Sequence, residues 1–163
     1  MGAVVIVEYD PEWPTTFETI RAGVSSALGG LALNIEHVGS TAVPGLPAKP
    51  IIDVDVVVRP ADAESVIRRL VRIGYVHEGD LGVPGREAFR RPAGTPAHHL
   101  YVCPTDSMAL KEHLRFRDYL RADPVVAGEY ATLKRRLASE FGDDRAAYTA
   151  GKAGFVSAAL RRS

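Results

Sequence analysis

Two aspartates interrupt the most apolar run of the chain, Ile51-Ile52-Asp53-Val54-Asp55-Val56-Val57-Val58. Its β-branched residues specify a strand. Residues two apart in a strand project from one face, so Asp53 and Asp55 point the same way. Ionised carboxylates that close repel each other, and burying either one unpaired is costly. Either the strand is a sheet edge with a solvated face, or it is central and the pair faces a counter-charge. A hard divalent cation such as Mg2+ suits the second case, because it is commonly held by one or two carboxylates plus waters and substrate phosphates.

The segment before the strand favours the second arrangement. Leu33 to Val38 reads as a short strand entering Gly39-Ser40, where glycine permits close backbone approach. Backbone amides and the Ser40 hydroxyl can accept a phosphate there, more so if a short helix starts at Thr41. The proline- and glycine-rich stretch 41–47 allows little beyond a turn of helix. Gly-Ser alone is a common dipeptide. Strand, Gly-Ser, short turn and an apolar strand carrying Asp-x-Asp form a much rarer conjunction.

The rest of the chain supplies a frame for this pair. Asp10-Pro11 reads as a helix start, followed by Trp13, Phe17, Ile20, Val24 and Leu28 at helical spacing and a stop at Gly29-Gly30. A helix over 61–73 is expected to turn Val66, Ile67, Leu70 and Val71 inward. Short strands follow at 75–77, 87–90 and 98–102, then helices over 107–121, 125–141 and 144–161. Strands interleaved with helices, then helices alone, indicate an α/β (α+β) fold: a mixed sheet flanked by helices, with a helical C-terminal third. The 163 residues, 46% hydrophobic and 25% charged, suit one globular domain over 1–163.

Twenty basic residues balance twenty acidic ones, which gives no electrostatic reason to expect a nucleic-acid or membrane-surface partner. No apolar stretch is long enough to span a bilayer, the N-terminus does not read as a signal peptide, and the single Cys103 excludes an intrachain disulfide. The expected location is cytoplasmic. The apolar stripes of the last helices fit either a covered sheet face or a dimer face, which leaves the oligomeric state open.

Gly39-Ser40 followed by Asp53-x-Asp55 resembles the signature of the polymerase-β-type nucleotidyltransferase superfamily. The wider sequence is similar to the bacterial GrpB family, through residues 36–46, 48–55, Gly85-Arg86-Glu87, His98-His99-Leu100 and 116–121. Tyr9-Asp10-Pro11-x-Trp13, Leu133-Lys134 and Lys152 fit as well. The resemblance implies a nucleotidyltransferase fold and Mg2+-dependent handling of a nucleoside triphosphate. It also brings the GrpB-like domains fused to dephospho-CoA kinase in some bacteria. Active superfamily members generally add a third carboxylate from a neighbouring strand, and here that strand reads His98-His99-Leu100-Tyr101-Val102.

By alternation His99 and Tyr101 share a face, and His99 is the candidate base or metal ligand in place of the third acid. Glu87 is the other candidate. The alternative for the histidine pair is one ring inward and hydrogen-bonded, the other exposed. Lys49 and Arg86 are the candidate phosphate-facing cations, with Arg90 and Arg117 behind them, although each also reads as solvated surface charge. Arg117-Asp118-Tyr119, His37 and Trp13 read as structural, and Cys103 as a small buried hydrophobe.

Two functions follow. One is an enzyme transferring a nucleotidyl or phosphoryl group from a Mg2+-bound nucleoside triphosphate to a small acceptor, with Asp53 and Asp55 on the metal, Gly39 and Ser40 on phosphate and His99 assisting proton removal. The other is a nucleotide-binding or accessory module that has lost turnover with the third acid, linked by the fused relatives to coenzyme A metabolism.

Overall fold

The computed structural model describes residues 2–163. Its centre is a five-stranded mixed sheet of β1 (Asn34–Val38), β2 (Ile52–Val58), β3 (Val76–Gly79), β4 (Glu87–Arg90) and β5 (His98–Pro104). The spatial order is β1-β2-β5-β4-β3, in which only β2 and β5 run parallel. β2 is therefore interior. The edge-strand arrangement is not the one adopted.

Alternation along β2 sorts its side chains between two layers. Val54, Val56 and Val58 join Leu100 and Val102 in a core with α1 (Trp13–Leu28) and α2 (Ala63–Arg72). The spacing of Trp13, Phe17, Ile20, Val24 and Leu28 puts all five in that core, each burying an apolar side chain worth about 1.5–3 kcal/mol. The opposite face, which carries both aspartates, lies under α3 (Met108–Ala122), α4 (Pro124–Phe141) and α5 (Arg145–Arg162).

Three local expectations are corrected. α1 starts at Trp13 rather than Pro11, because the Asp10 carboxylate accepts from the Glu12 amide at 2.9 Å and folds Asp10-Pro11 into a turn. Pro60–Asp62 forms a separate 3-10 turn before α2. Val71 is 49% exposed, since the buried stripe of α2 is centred on Val66 and Leu70. α4 and α5 begin on Asp123 and Asp144, whose side chains accept backbone amides of the first turn. Among the described residues no helix is long and apolar enough to cross a membrane.

Candidate functional site

Asp53 and Asp55 sit on the interior strand under the helical layer, and Asp55 has no exposed surface. Asp53 keeps 30% of its side chain exposed. The turn that follows β1 is built around it. Gly39 has φ +75°, and a Cβ placed there would lie 2.3 Å from Asp53 Oδ2, so only glycine lets the carboxylate pass. Ser40–Ala42 then makes a single 3-10 turn. Register pairs Asp53 with His99 and Asp55 with Tyr101 on β5. His99 Nδ1–H donates to Asp53 Oδ1 at 3.0 Å.

The paired aspartates call for a counter-charge, and the structure supplies a first one from the protein. His113 of α3 donates from Nδ1 to Asp55 Oδ2 at 2.7 Å. Burial pushes the Asp55 carboxyl above its ordinary pKa, opposed by the hydrogen bond and charge of His113. Burial alone would lower the His113 pKa, but the bond to Asp55 and the charges of both aspartates outweigh it and raise it. Asp55 Oδ1 remains buried without a hydrogen-bond partner. His113 was legible in principle, because it continues the inward stripe through Leu110, Arg117 and Leu120 at three- and four-residue spacing.

Beside Asp53 lies a cavity of about 100 Å3 into which Ser40, Lys49, Lys134, Lys152, Tyr148 and His99 also project. Gly151 permits this convergence: a Cβ there would come within 2.5 Å of Leu137 Cδ2, so its absence brings α5 against α4 and carries Lys152 in with it. The ammonium of Lys152 lies 4.6 Å and that of Lys49 5.5 Å from the Tyr148 ring centroid. Lys134, 2% exposed, donates to the Pro47 carbonyl.

Burial, then the neighbouring charges of Lys152 and Lys49, hold the Lys134 pKa down at about 7. Burial and Lys49 lower Lys152 to about 8. Lys49 is lowered as well, by burial and then Arg145. Three desolvated cations around one carboxylate form an arrangement that an anionic ligand relieves.

The remaining candidates separate. Arg86 lies in a second cavity of about 150 Å3, which shares Asp53 but none of the lysines and is also lined by Gly39 and His113; its guanidinium carbon is 4.4 Å from the Tyr101 ring centroid. Glu87 pairs in register with Val102 and so points to the opposite face of the sheet, where it is bonded to His77 at 2.7 Å. It is not beside the aspartates and is not the third acid. Arg90 neighbours His99 in register but is exposed. Arg117 is held by Glu36 at 2.7 Å and by the His37 carbonyl.

His37 stacks on Phe17 and is bonded to Thr41 Oγ1 at 2.8 Å; burial and then Arg121 lower its pKa to about 4. His98 is the inward histidine, accepting from the Tyr75 hydroxyl at 2.7 Å. Trp13 and Cys103 are buried, and burial raises the thiol pKa.

Asp53 and Asp55 offer hard oxygens, and the orphaned Asp55 Oδ1 is the kind of atom that a cation would satisfy. These residues fit one divalent ion completed by substrate oxygens. Among the described residues no group of three or more His, Cys, Asp or Glu is gathered to hold a metal without such oxygens.

Comparison with known proteins agrees with this architecture. The profile of the family described as GrpB protein matches residues 3–162. The chain is 35% identical to YqkA of Bacillus subtilis over 96% of its own length, and spans 46% of that protein. It is 34% identical to the glutamate-rich protein GrpB of Alkalihalophilus pseudofirmus, covering 98% of this chain and 95% of that one. A dephospho-CoA kinase of Mycolicibacterium paratuberculosis is 31% identical over 98% of this chain, which spans 46% of it. Among solved structures, a GrpB protein from Enterococcus faecalis superposes with a TM-score of 0.87 at 34% identity, covering 97% of this chain and 96% of that one. Cid1 poly(U) polymerase, in a structure with MgGTP bound, gives a TM-score of 0.54 at 15% identity over 82% of this chain and 44% of Cid1, a likeness of fold.

Proposed function

This chain belongs to the GrpB protein family, and from that premise we propose that it transfers the nucleotidyl group of a nucleoside triphosphate to a small acceptor with the help of Mg2+. The observation that carries the reading is the convergence of Ser40, Lys49, Lys134 and Lys152 on one cavity beside Asp53. A lone phosphate monoanion does not need three cations, whereas the terminal phosphates of a triphosphate do. Nucleotidyl transfer is preferred to phosphoryl transfer because those lysines would hold the departing pyrophosphate.

Asp53 and Asp55 would hold Mg2+, which when bound neutralises charge on the phosphates. Gly39 leaves room for Asp53 to reach the reacting phosphate, and the Gly39 and Ser40 amides with the Ser40 hydroxyl would position it. His99 lines the lysine cavity, so its bond to Asp53 orients that carboxylate on the leaving-group side. Catalysis of this kind rests on positioning and charge neutralisation. A substrate of this class would place the protein in the cytoplasm. The second reading, a nucleotide-binding module without turnover, draws on the absent third carboxylate, and its link to coenzyme A metabolism draws on the dephospho-CoA kinase relative.

The test is pyrophosphate release from each nucleoside triphosphate with Mg2+, measured beside Asp53→Asn and Asp55→Asn. Release lost in both variants supports the enzyme. Saturable, Mg2+-dependent binding without release, across a panel of small acceptors, supports the module instead.

A further inference from the structure

Asp53 borders two cavities rather than one. The lysine cavity holds Ser40, Lys134 and Lys152, and the second holds Val38, Gly39, Arg86, Tyr101 and His113. In nucleotidyl transfer the entering and leaving oxygens lie roughly in line on opposite sides of the reacting phosphorus. If the pyrophosphate leaves on the lysine side, the second cavity is where the acceptor enters.

The contents of that cavity define an acceptor class. Arg86 lies over the Tyr101 ring and among the described residues forms no ion pair, while its Nε donates to the Asp80 carbonyl at 3.5 Å. The turn that presents it is fixed by Ser107, whose hydroxyl donates to the Gly85 carbonyl. A guanidinium over an aromatic ring with no carboxylate partner of its own matches the two oxygens of a carboxylate or phosphate. Tyr101 stands opposite Asp55 on the strand that would otherwise supply a third carboxylate, and Glu87 faces away. His99 lies on the lysine side. His113 also lines this cavity, but its Nδ1 is committed to holding the buried Asp55; an acceptor that is already ionised needs no base.

We propose that the Arg86 cavity is the acceptor subsite and takes a small molecule whose attacking oxygen is already anionic, a phosphate monoester or a carboxylate. This rests on the nucleotidyltransferase reading above. In the step, the anionic oxygen forms a bond to the α-phosphorus while the bond from that phosphorus to the bridging oxygen of pyrophosphate breaks. The electron pair leaves with pyrophosphate, no proton is transferred, and the product is a mixed anhydride.

The experiment is calorimetric titration of the whole chain with three matched probes: glycerol 3-phosphate, glycerate and glycerol. The expected result is binding of at least one anion, no binding of glycerol, at least a tenfold loss in Arg86→Gln, a smaller loss in Arg86→Lys, and no loss in Tyr75→Phe on the opposite layer. Which anion binds identifies the source of the charge. The titration is repeated with Mg2+ and an α,β-methylene triphosphate analogue present, and the probe is expected to bind alongside it.

Glycerol binding as well as the anions, anion binding lost in Lys134→Met but not Arg86→Gln, displacement by the analogue, or no anion binding would each overturn the proposal. Anion binding at Arg86 with no analogue binding in any condition would overturn the nucleotidyltransferase reading and, with it, the acceptor role. Analogue binding without anion binding would overturn the acceptor class alone.

Discussion

Gly39 and Asp53 interlock: the space a Cβ on residue 39 would fill is occupied by Asp53 Oδ2, 2.3 Å from where that carbon would sit. The turn after β1 and the carboxylate of β2 are thus a single unit, and glycine is required twice, for its φ of +75° and for the missing side chain. Gly39→Ala is expected to lower stability by about 1–3 kcal/mol through backbone strain. It should also displace Asp53 and abolish pyrophosphate release. Chemical denaturation and the release assay on one preparation check both.

His113 holds a buried carboxylate, so its loss should cost more than a typical surface substitution. His113→Ala leaves Asp55 unpaired and is expected to destabilise by about 3 kcal/mol, the range seen when one partner of a buried pair is removed. Adding Asp55→Asn should recover much of that cost, a non-additivity that a double-mutant cycle measures. Simple addition of the two losses would contradict the pairing.

The lysine cluster gives a pH dependence of defined sign. The Lys134 pKa of about 7 and the Lys152 pKa of about 8 lie below the 10.5 of an unfolded lysine. Within that window the unfolded chain binds more protons, so stability should rise with pH. The cost of the buried charges is fully present below pH 7 and is relieved above it. Thermal midpoints without ligand should therefore climb from pH 7 to 9, beyond which the raised pKa values of Cys103 and the buried tyrosines act in the opposite sense. Lys134→Met should flatten the climb. Triphosphate affinity should fall over the same range as the cations discharge.

Much of this frame is legible in the sequence, for a physical reason. Period-two and period-3.6 apolar patterns record which side of an element is buried, so the β2 valines and the α1 stripe from Trp13 to Leu28 announce their own core. The Gly39-Ser40 and Asp53-x-Asp55 elements are local and stand out by breaking those patterns. What stayed hidden depends on contacts between distant segments. Lys49, Lys134 and Lys152 meet only because a loop and two helices pack together, and nothing near any one of them in sequence signals the other two. His113 carries the right spacing on α3, yet its partner is 58 residues away. Glu87 looked available beside the site until strand register put it on the other face. Asp10-Pro11 carried a helix-start signal, and a local Asx-type turn used it first.

Tyr75 offers a control on the opposite layer. Its hydroxyl donates to His98, whose Nδ1 is engaged by the Pro96 carbonyl. Tyr75→Phe removes one buried hydrogen bond and is expected to cost about 1–2 kcal/mol. Nucleotide binding, measured by the same titration as the wild type, should be unchanged.

In the proposed function the lysine cavity beside Asp53 receives the terminal phosphates of a nucleoside triphosphate. The most direct measurement is the dissociation constant of a non-hydrolysable triphosphate analogue with Mg2+, for the wild type, Lys134→Met and Lys152→Met. The expected result is saturable binding that weakens at least tenfold in each variant, with the corresponding nucleoside monophosphate binding far less tightly. Equal affinity in all three proteins, or no triphosphate binding by the wild type, would contradict it.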